Sequence, residues 1–391
     1  MNTRLKIGYV PLVDAAPLIV ASYMGFDREE GLTLDLVRAP SWATLRDMLA
    51  FGRVDAAHML APVPVAMALG IGGVASPISA LMVLSVNGNV IGVSQDLALR
   101  LADQGHDFAF CDATKAGTAL IDAAKGRLRI GVPFPFSMHA ELLYCWLSAS
   151  GLPAPQNVEI RTVPPPLMAH AIEAGEIDAF CVGEPWGSIA VENGTGALLL
   201  PGRAIWSFAP EKVLAVRTRW AEEEPDLAAR LMRAVWKASR WLGRGGLNTT
   251  ASELLARSEY LDIAPDIIDR AFQGRLVINP DGETRKCANF VEFYEGAATF
   301  PWKSQAAWIA DRMASRLGLD RIQAMDQAQA VFRSDLYRQH LGDIGAVLPS
   351  ASSKVEGANP EETGVASVGG RLILAENRFF DGQIFDPLAR K

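Results

Sequence analysis

The sequence predicts an α/β protein of two similar lobes, with a ligand cleft between them and two crossover segments. Three observations carry this. First, the chain repeats itself at an offset of 123 residues. Arg4-Leu5-Lys6-Ile7-Gly8 recurs as Arg127-Leu128-Arg129-Ile130-Gly131, Phe51-Gly52-Arg53-Val54-Asp55-Ala56 as Ala174-Gly175-Glu176-Ile177-Asp178-Ala179, and Pro62 as Pro185. Second, strand and helix signals alternate within each copy, which argues for parallel sheets. Third, the apolar stretches 83–93 and 201–216 follow the two copies and can carry the chain across and back. A single copy buries little alone, so two copies imply two packed lobes. Ligands of such sheets bind outside the carboxyl ends of the strands, and two facing lobes make a cleft there.

Residues 1–90 are expected to form the first part of lobe I. A strand over 6–10 is followed by a core helix over 17–25, a strand over 32–37, a helix over 42–51, a strand over 54–58 and a helical run over 64–70. The first crossing breaks at Asn87-Gly88, a turn signal. Lobe II is expected over 91–205, with exposed helical sequence over 101–126, strands over 127–132, 158–163 and 178–182, and helices over 138–149 and up to Ala174. Residues 206–340 return to lobe I and add helices. Within them, 222–244 reads as one amphipathic helix with the apolar stripe Leu227, Leu231, Ala234, Val235, Ala238 and Leu242. Its basic row, Arg230, Arg233, Lys237, Arg240 and Arg244, fits a solvated face or a docking surface for an acidic partner. The tail, 341–391, turns rich in Gly, Ser, Pro and Glu over 342–370, predicting an extended or mobile segment, then packs back on the body through 372–374 and 379–385.

Composition excludes several functions. The formal charge of −7 argues against a nucleic-acid binder. Any anion bound here must therefore be drawn by local groups. The four cysteines (Cys111, Cys145, Cys181 and Cys287) form no C-x-x-C pair and read as free, buried thiols. The chain has no G-x-x-x-x-G-K-[ST], G-x-S-x-G or H-E-x-x-H motif, and its five histidines have no metal-ligand spacing. No catalytic set, metal or cofactor is expected. Residues 1–6 lead straight into the first strand without an export signal, so the expected location is cytoplasmic.

Candidate binding residues lie at strand ends. His139 falls in the first turn of a helix capped by Ser137, where free N–H groups and the dipole suit an anion. It also fits a polar residue packed on Phe134 or Trp146. An imidazolium at the ordinary histidine value would make affinity depend on pH near about 6–7. Trp42 opens a helix capped by Ser41, as a pocket wall with a donor N–H or as a core ring. Val182-Gly183-Glu184-Pro185-Trp186 ends a strand of lobe II; Gly183 permits close backbone approach, and Glu184 and Trp186 serve a ligand or the lobe seam. Lys212 offers a positive charge in the return crossing, or a surface pair with Glu211. Glu184 is the obvious acceptor that a ligand with a donor, such as bicarbonate, would need.

Gly8-Tyr-Val-Pro-Leu-Val-Asp14-Ala-Ala-Pro-Leu18, Ser41-Trp42-Ala-Thr-Leu-Arg46-Asp47, Leu60-Ala-Pro-Val-Pro64, Val182-Gly-Glu-Pro-Trp186, Pro210-Glu-Lys-Val213 and Phe332-Arg-Ser-Asp-Leu-Tyr337 together resemble the nitrate-binding proteins of the nitrate/bicarbonate ABC-importer (NrtA/CmpA-like) group. The resemblance implies a type II periplasmic-binding-protein fold that clamps an anion between its lobes. Carried over residue by residue, it implies a ligand shell of Trp42, Asn89, His139, Val182, Gly183 and Lys212. The family often has Gln where this chain has Asn89, one methylene shorter. The start at the first strand resembles the cytoplasmic nitrate/nitrite sensors of the NasS type. Such a sensor holds an RNA-binding antiterminator of the NasT type until nitrate or nitrite releases it. The importer subunit, a binding module for a permease, is the alternative. The same fold hosts synthesis of the thiamine pyrimidine precursor, but that chemistry needs a cysteine-rich loop, which this sequence lacks.

Overall fold

The computed structural model describes residues 2–243, 248–346 and 348–389, and builds the two lobes on two separate sheets. Lobe I contains β1 (Thr3–Tyr9), β2 (Leu32–Arg38), β3 (Ala56–Leu60) and β4 (Ile78–Asn87). Lobe II contains β5 (Asn89–Ser94), β6 (Arg129–Val132), β7 (Glu159–Thr162), β8 (Ala179–Gly183) and β9 (Gly196–Pro201). The chain then returns as β10 (Pro210–Arg217). In lobe I the short strand Val291–Glu292 forms one edge, followed by β4, β10, β3, β1 and β2; in lobe II the order is β7, β6, β8, β5, β9.

The repeat is visible as architecture. β1 pairs in parallel with β2 and β3, as β6 does with β7 and β8. Each crossing then inserts an antiparallel strand beside its trio, β10 against β3 and β5 against β8. Register places Lys212 opposite Leu60 and Asn89 opposite Gly183. Leu60 and Gly183 are themselves repeat equivalents, so Lys212 and Asn89 occupy matching places in the two lobes. Sequence comparison of the copies does not reveal this, because both crossing strands lie outside the repeated segments.

All ten residues of β4 are buried, as expected of a strand covered on both faces. It ends where Asn87 (φ 60°) and Gly88 (φ 90°) both turn left-handed and lead into the second sheet. Asn and Gly tolerate that conformation at low cost.

Several elements differ from expectation. The predicted helix over 222–244 is two helices, Thr218–Glu223 and Pro225–Leu242, because Pro225 starts a helix better than it continues one; Arg244 lies outside the described residues. The basic row docks within the chain: Arg233 and Lys237 pair with Glu29 and Glu30, and Arg230 donates to Glu30 O and Gly31 O. Residues 250–340 include three short strands besides helices. β9 was not anticipated. The 342–370 segment contains half of a hairpin, Thr363–Ser367 paired with Gly370–Leu374, whose alternate residues Leu372 and Leu374 are buried. Cys181 and Cys287 are buried, but Cys145 is half-buried and Cys111 exposed.

The second half of the tail contacts the body near Trp206. Trp206 Nε1 donates to Asn377 Oδ1 (2.7 Å), and the Trp206 ring lies 4.8 Å from Phe379. Phe380 N donates to Ile205 O (2.9 Å).

Candidate anion site

The carboxyl ends of the strands converge on one cluster. Asp14 lies in a short 3₁₀ helix, Val13–Ala15, just after β1. Trp42 is the first residue of the helix Trp42–Ala50, whose cap Ser41 accepts from Thr44 N (3.2 Å). His58 is central in β3, and Asn89 begins β5. His139 sits in the first turn of Met138–Ala149, capped by Ser137, which accepts from Ala140 N (3.2 Å). Gly183 ends β8, while Glu211 and Lys212 begin β10. Asp14, Trp42, His58, Asn89, His139, Glu211 and Lys212 are all buried.

Lys212 is the centre of the cluster. Its Nζ donates to Asp14 Oδ2 (2.6 Å) and Glu211 Oε1 (2.9 Å), and lies 5.3 Å from the centre of the Trp42 ring. Asn89 Nδ2 donates to the other oxygen of Glu211 (2.8 Å). His58 Nε2 approaches Asp14 Oδ1 at 3.0 Å, and His139 Nδ1 approaches Glu211 Oε1 at 3.2 Å. Both are close approaches whose geometry falls short of a formed hydrogen bond. Among the described residues, Trp42 Nε1, His58 Nδ1 and His139 Nε2 find no hydrogen-bond partner. Buried polar atoms are nearly always satisfied, so three unpartnered nitrogens in one cluster point to a ligand.

Burial and charge set the protonation states. Burial alone would raise the Asp14 carboxyl, but Lys212 and His58 outweigh it and hold Asp14 well below the usual range. Burial pushes Glu211 up, against the pull of Lys212. Burial would lower Lys212, but Asp14 and Glu211 hold it above its ordinary value. Burial, helped by Lys212, pushes His139 well below its ordinary value. His139 is therefore a neutral imidazole at physiological pH, and the pH dependence near 6–7 expected of an imidazolium does not apply.

The structure brings Trp42, Asn89, His139, Gly183 and Lys212 together but divides their roles. Lys212 is neither a free charge nor a surface lysine, since two carboxylates already hold it. Asn89 gives its amide N–H to Glu211, and its oxygen faces Gly202, where a Cβ would stand 1.7 Å away. Its reach toward a ligand therefore runs through Glu211. Glu184 N donates to Gly88 O (3.2 Å). In an antiparallel ladder alternate residues face the neighbour, so the Val182 amide also faces β5, while the Gly183 amide turns away from it. A Cβ on Gly183 would meet Leu12 Cδ2 at 2.6 Å and lie 3.8 Å from both Asp14 Oδ2 and His139 Nε2. A side chain at Gly183 would have to displace the tip of Leu12 where the lobes meet.

Glu184 is not the acceptor in the cluster. Its carboxylate accepts from Ser188 N (3.2 Å), and burial pushes it up to about 7. The acceptors there are Asp14 and Glu211, which sequence reasoning missed along with His58. One signal existed for His58, a histidine inside an otherwise apolar strand.

The lobes meet through specific bonds. Val13 N donates to Glu184 O (2.9 Å), and Trp186 Nε1 to Pro11 O (2.8 Å). Arg316, on the helix Lys303–Leu317, makes a bidentate pair at 2.5 Å with buried Glu141, two residues beyond His139.

The sequence profile of the NMT1-like family matches residues 1–256. This chain belongs to the NMT1-like family. This NMT1-like chain is 29% identical over 400 aligned positions to the nitrate/nitrite binding protein NrtA of Nostoc sp., covering 99% of this chain and 83% of that one. It is 32% identical over 321 positions to the nitrate import ATP-binding protein NrtC of Synechocystis sp., covering 80% of this chain but 46% of that relative, so it spans about half of that protein's length. Among solved structures, the periplasmic nitrate-binding protein NrtA from Synechocystis PCC 6803 superposes with a TM-score of 0.81 at 26% identity, covering 99% of this chain and 96% of that one. The ligand-binding component of an ABC-type import system from Staphylococcus aureus, at 18% identity, shares the fold with a TM-score of 0.66 over 87% of this chain and 99% of that one. The fold is the two-lobed periplasmic-binding-protein fold.

Proposed function

We propose that this chain binds nitrate or nitrite between its lobes, and that binding releases an RNA-binding antiterminator of the NasT type, making the chain a cytoplasmic sensor for nitrate assimilation. The observation that carries the anion-binding half is that the buried, unpartnered nitrogens of the cluster include one from each lobe, Trp42 Nε1 from lobe I and His139 Nε2 from lobe II. Relatives named for nitrate or nitrite binding align along nearly the whole chain.

Nitrate is planar, singly charged and has only acceptor oxygens. Trp42 Nε1, His139 Nε2 and the Gly183 amide supply donors, while Lys212 offsets one of the two carboxylate charges, Asp14 and Glu211, beside them. Hydrogen bonds to a charged group contribute about 1.5–3 kcal/mol each. Three of them total about 4.5–9 kcal/mol, which after ordering costs places the affinity in the millimolar to micromolar range, roughly −4 to −8 kcal/mol. Because the donors come from both lobes, the anion favours the closed arrangement. A partner that prefers the open form is then weakened by the anion, and the anion by the partner, by the same factor.

The release half rests on the resemblance to the sensors. Co-purification with an antiterminator of that type tests it: the complex is expected without anion and lost with sodium nitrate or nitrite. A complex that never forms refutes it. The importer-subunit reading is favoured by the whole-chain superposition on a periplasmic nitrate-binding protein. Cell fractionation separates the two: periplasmic or lipid-anchored protein supports the importer, cytosolic protein the sensor.

A further inference from the structure

We propose that anion binding is coupled to uptake of one proton by the Glu211–His139 pair, so that the cleft takes its monoanion together with a proton. The inference rests on the anion-binding reading above and concerns how the same site works.

The first argument is charge. Lys212 is the one permanently cationic side chain of the cluster, and it already carries two carboxylates, Asp14 at 2.6 Å and Glu211 at 2.9 Å. With both ionised the cluster is formally −1, and a bound monoanion makes it −2 behind closed lobes. Buried charges must be paired or neutralised. One proton restores −1.

The second argument is hydrogen-bond polarity. Neutral imidazole has one N–H and one bare nitrogen, and the partner of one nitrogen decides the state of the other. His139 Nδ1 stands 3.2 Å from Glu211 Oε1. Ionised Glu211 only accepts, so a small ring rotation gives an Nδ1–H bond to it and leaves Nε2 bare. A bare Nε2 repels an anion. Once Glu211 holds a proton it donates to Nδ1, and Nε2 carries the N–H. The proton, drawn from solvent, thus removes one negative charge and turns the unpartnered Nε2 into a donor toward the ligand.

The groups around Glu211 leave it the natural acceptor. Asp14, beyond β1, is held ionised by Lys212 and by His58 of β3. Cys181 of β8 is a thiol whose ionisation burial opposes, with Glu211 adding to the effect. Asn89 of β5 does not ionise but donates to Glu211 Oε2. Burial favours the protonated form of Glu211, so uptake there is inexpensive. Because Glu211 Oε1 and His139 Nδ1 stand 3.2 Å apart, the proton is assigned to the pair.

The test is calorimetric titration of the full chain with sodium nitrate, from pH 7 to 8.5, in buffers of different ionisation enthalpy. We expect uptake approaching one proton per nitrate, and affinity falling up to tenfold per pH unit. In Glu211→Gln one negative charge is gone and no carboxyl remains beside His139 to take the proton. Uptake should vanish, and nitrate should bind more tightly than in the wild type at pH 8.5. A residue with a merely structural role would weaken binding when changed. Nitrate bound by the wild type with no proton uptake, or uptake retained in the folded Glu211→Gln protein, overturns the proposal. The wild-type measurement decides it even if the variant does not fold. Failure of folded wild type to bind nitrate at any pH refutes the anion reading itself, and this inference with it.

Discussion

Trp42→Phe separates ligand binding from packing. The indole N–H is buried and has no partner among the described residues, so removing it breaks no hydrogen bond within the protein. The ring packs on His58 with centroids 5.5 Å apart and lies 5.3 Å from Lys212 Nζ. Phenylalanine keeps a ring there, at the cost of a small void and about 1 kcal/mol of stability. Relief of a buried unsatisfied donor offsets a comparable amount. Stability without ligand should therefore change by less than about 1 kcal/mol. Nitrate, in contrast, loses one charge-assisted bond of about 1.5–3 kcal/mol, which is roughly a 10- to 150-fold rise in Kd. Calorimetric titration with nitrate and urea unfolding measure the two effects. A folded variant with unchanged nitrate affinity would refute the assignment of this N–H to the ligand.

Lys212→Met should abolish measurable nitrate binding and leave Asp14 and Glu211 buried without their cation, costing the closed form about 3–5 kcal/mol at pH 7. In the wild type Asp14 is depressed, so its contribution is present above the ordinary carboxylate value and lost as pH falls. The variant reverses that sign, and denaturant unfolding at pH 7 and pH 5 should show the gap narrowing at the lower pH; a constant gap would contradict the ion-pair account. Arg316→Met leaves buried Glu141 unpaired across the lobes. Small-angle scattering should show a larger radius of gyration without nitrate that saturating nitrate reverses, and an unchanged radius would remove this pair from closure. Glu184, raised to about 7, holds a proton in the fold between its ordinary value of 4.5 and about 7. Wild-type stability should therefore fall as pH rises through that window, by about 3 kcal/mol at most. Glu184→Gln keeps the acceptor for Ser188 N and should remove that slope, so equal slopes in the two proteins would refute the raised value.

The two-lobed plan was legible because it rests on local signals. Period-2 and period-3.6 apolar patterns, helix caps at Ser41 and Ser137, and a 123-residue repeat all act over short stretches of chain. So did the placement of Trp42 and His139 at helix starts beyond strand ends. Three expectations failed for local reasons that were misjudged: Pro225 splits a helix, Leu372 and Leu374 anchor a hairpin, and β9 went unnoticed.

The sequence by itself determined the strand ends and helix starts at which Trp42 and His139 stand, and the N–H groups they carry. It did not determine what those donors face, because that depends on pairings far apart in the chain. Lys212 meets Asp14 across 198 residues, and Asn89 meets Glu211 across 122. Only the tertiary structure turned Lys212 from a free charge into the hub of two carboxylates, and Asn89 from a ligand contact into a support for Glu211. It also decided the state of His139, since burial beside a fixed ammonium drives imidazole neutral whatever its sequence neighbours. Local pattern selects elements, whereas charge balance in a buried site is a property of the groups that folding brings within a few ångströms of one another.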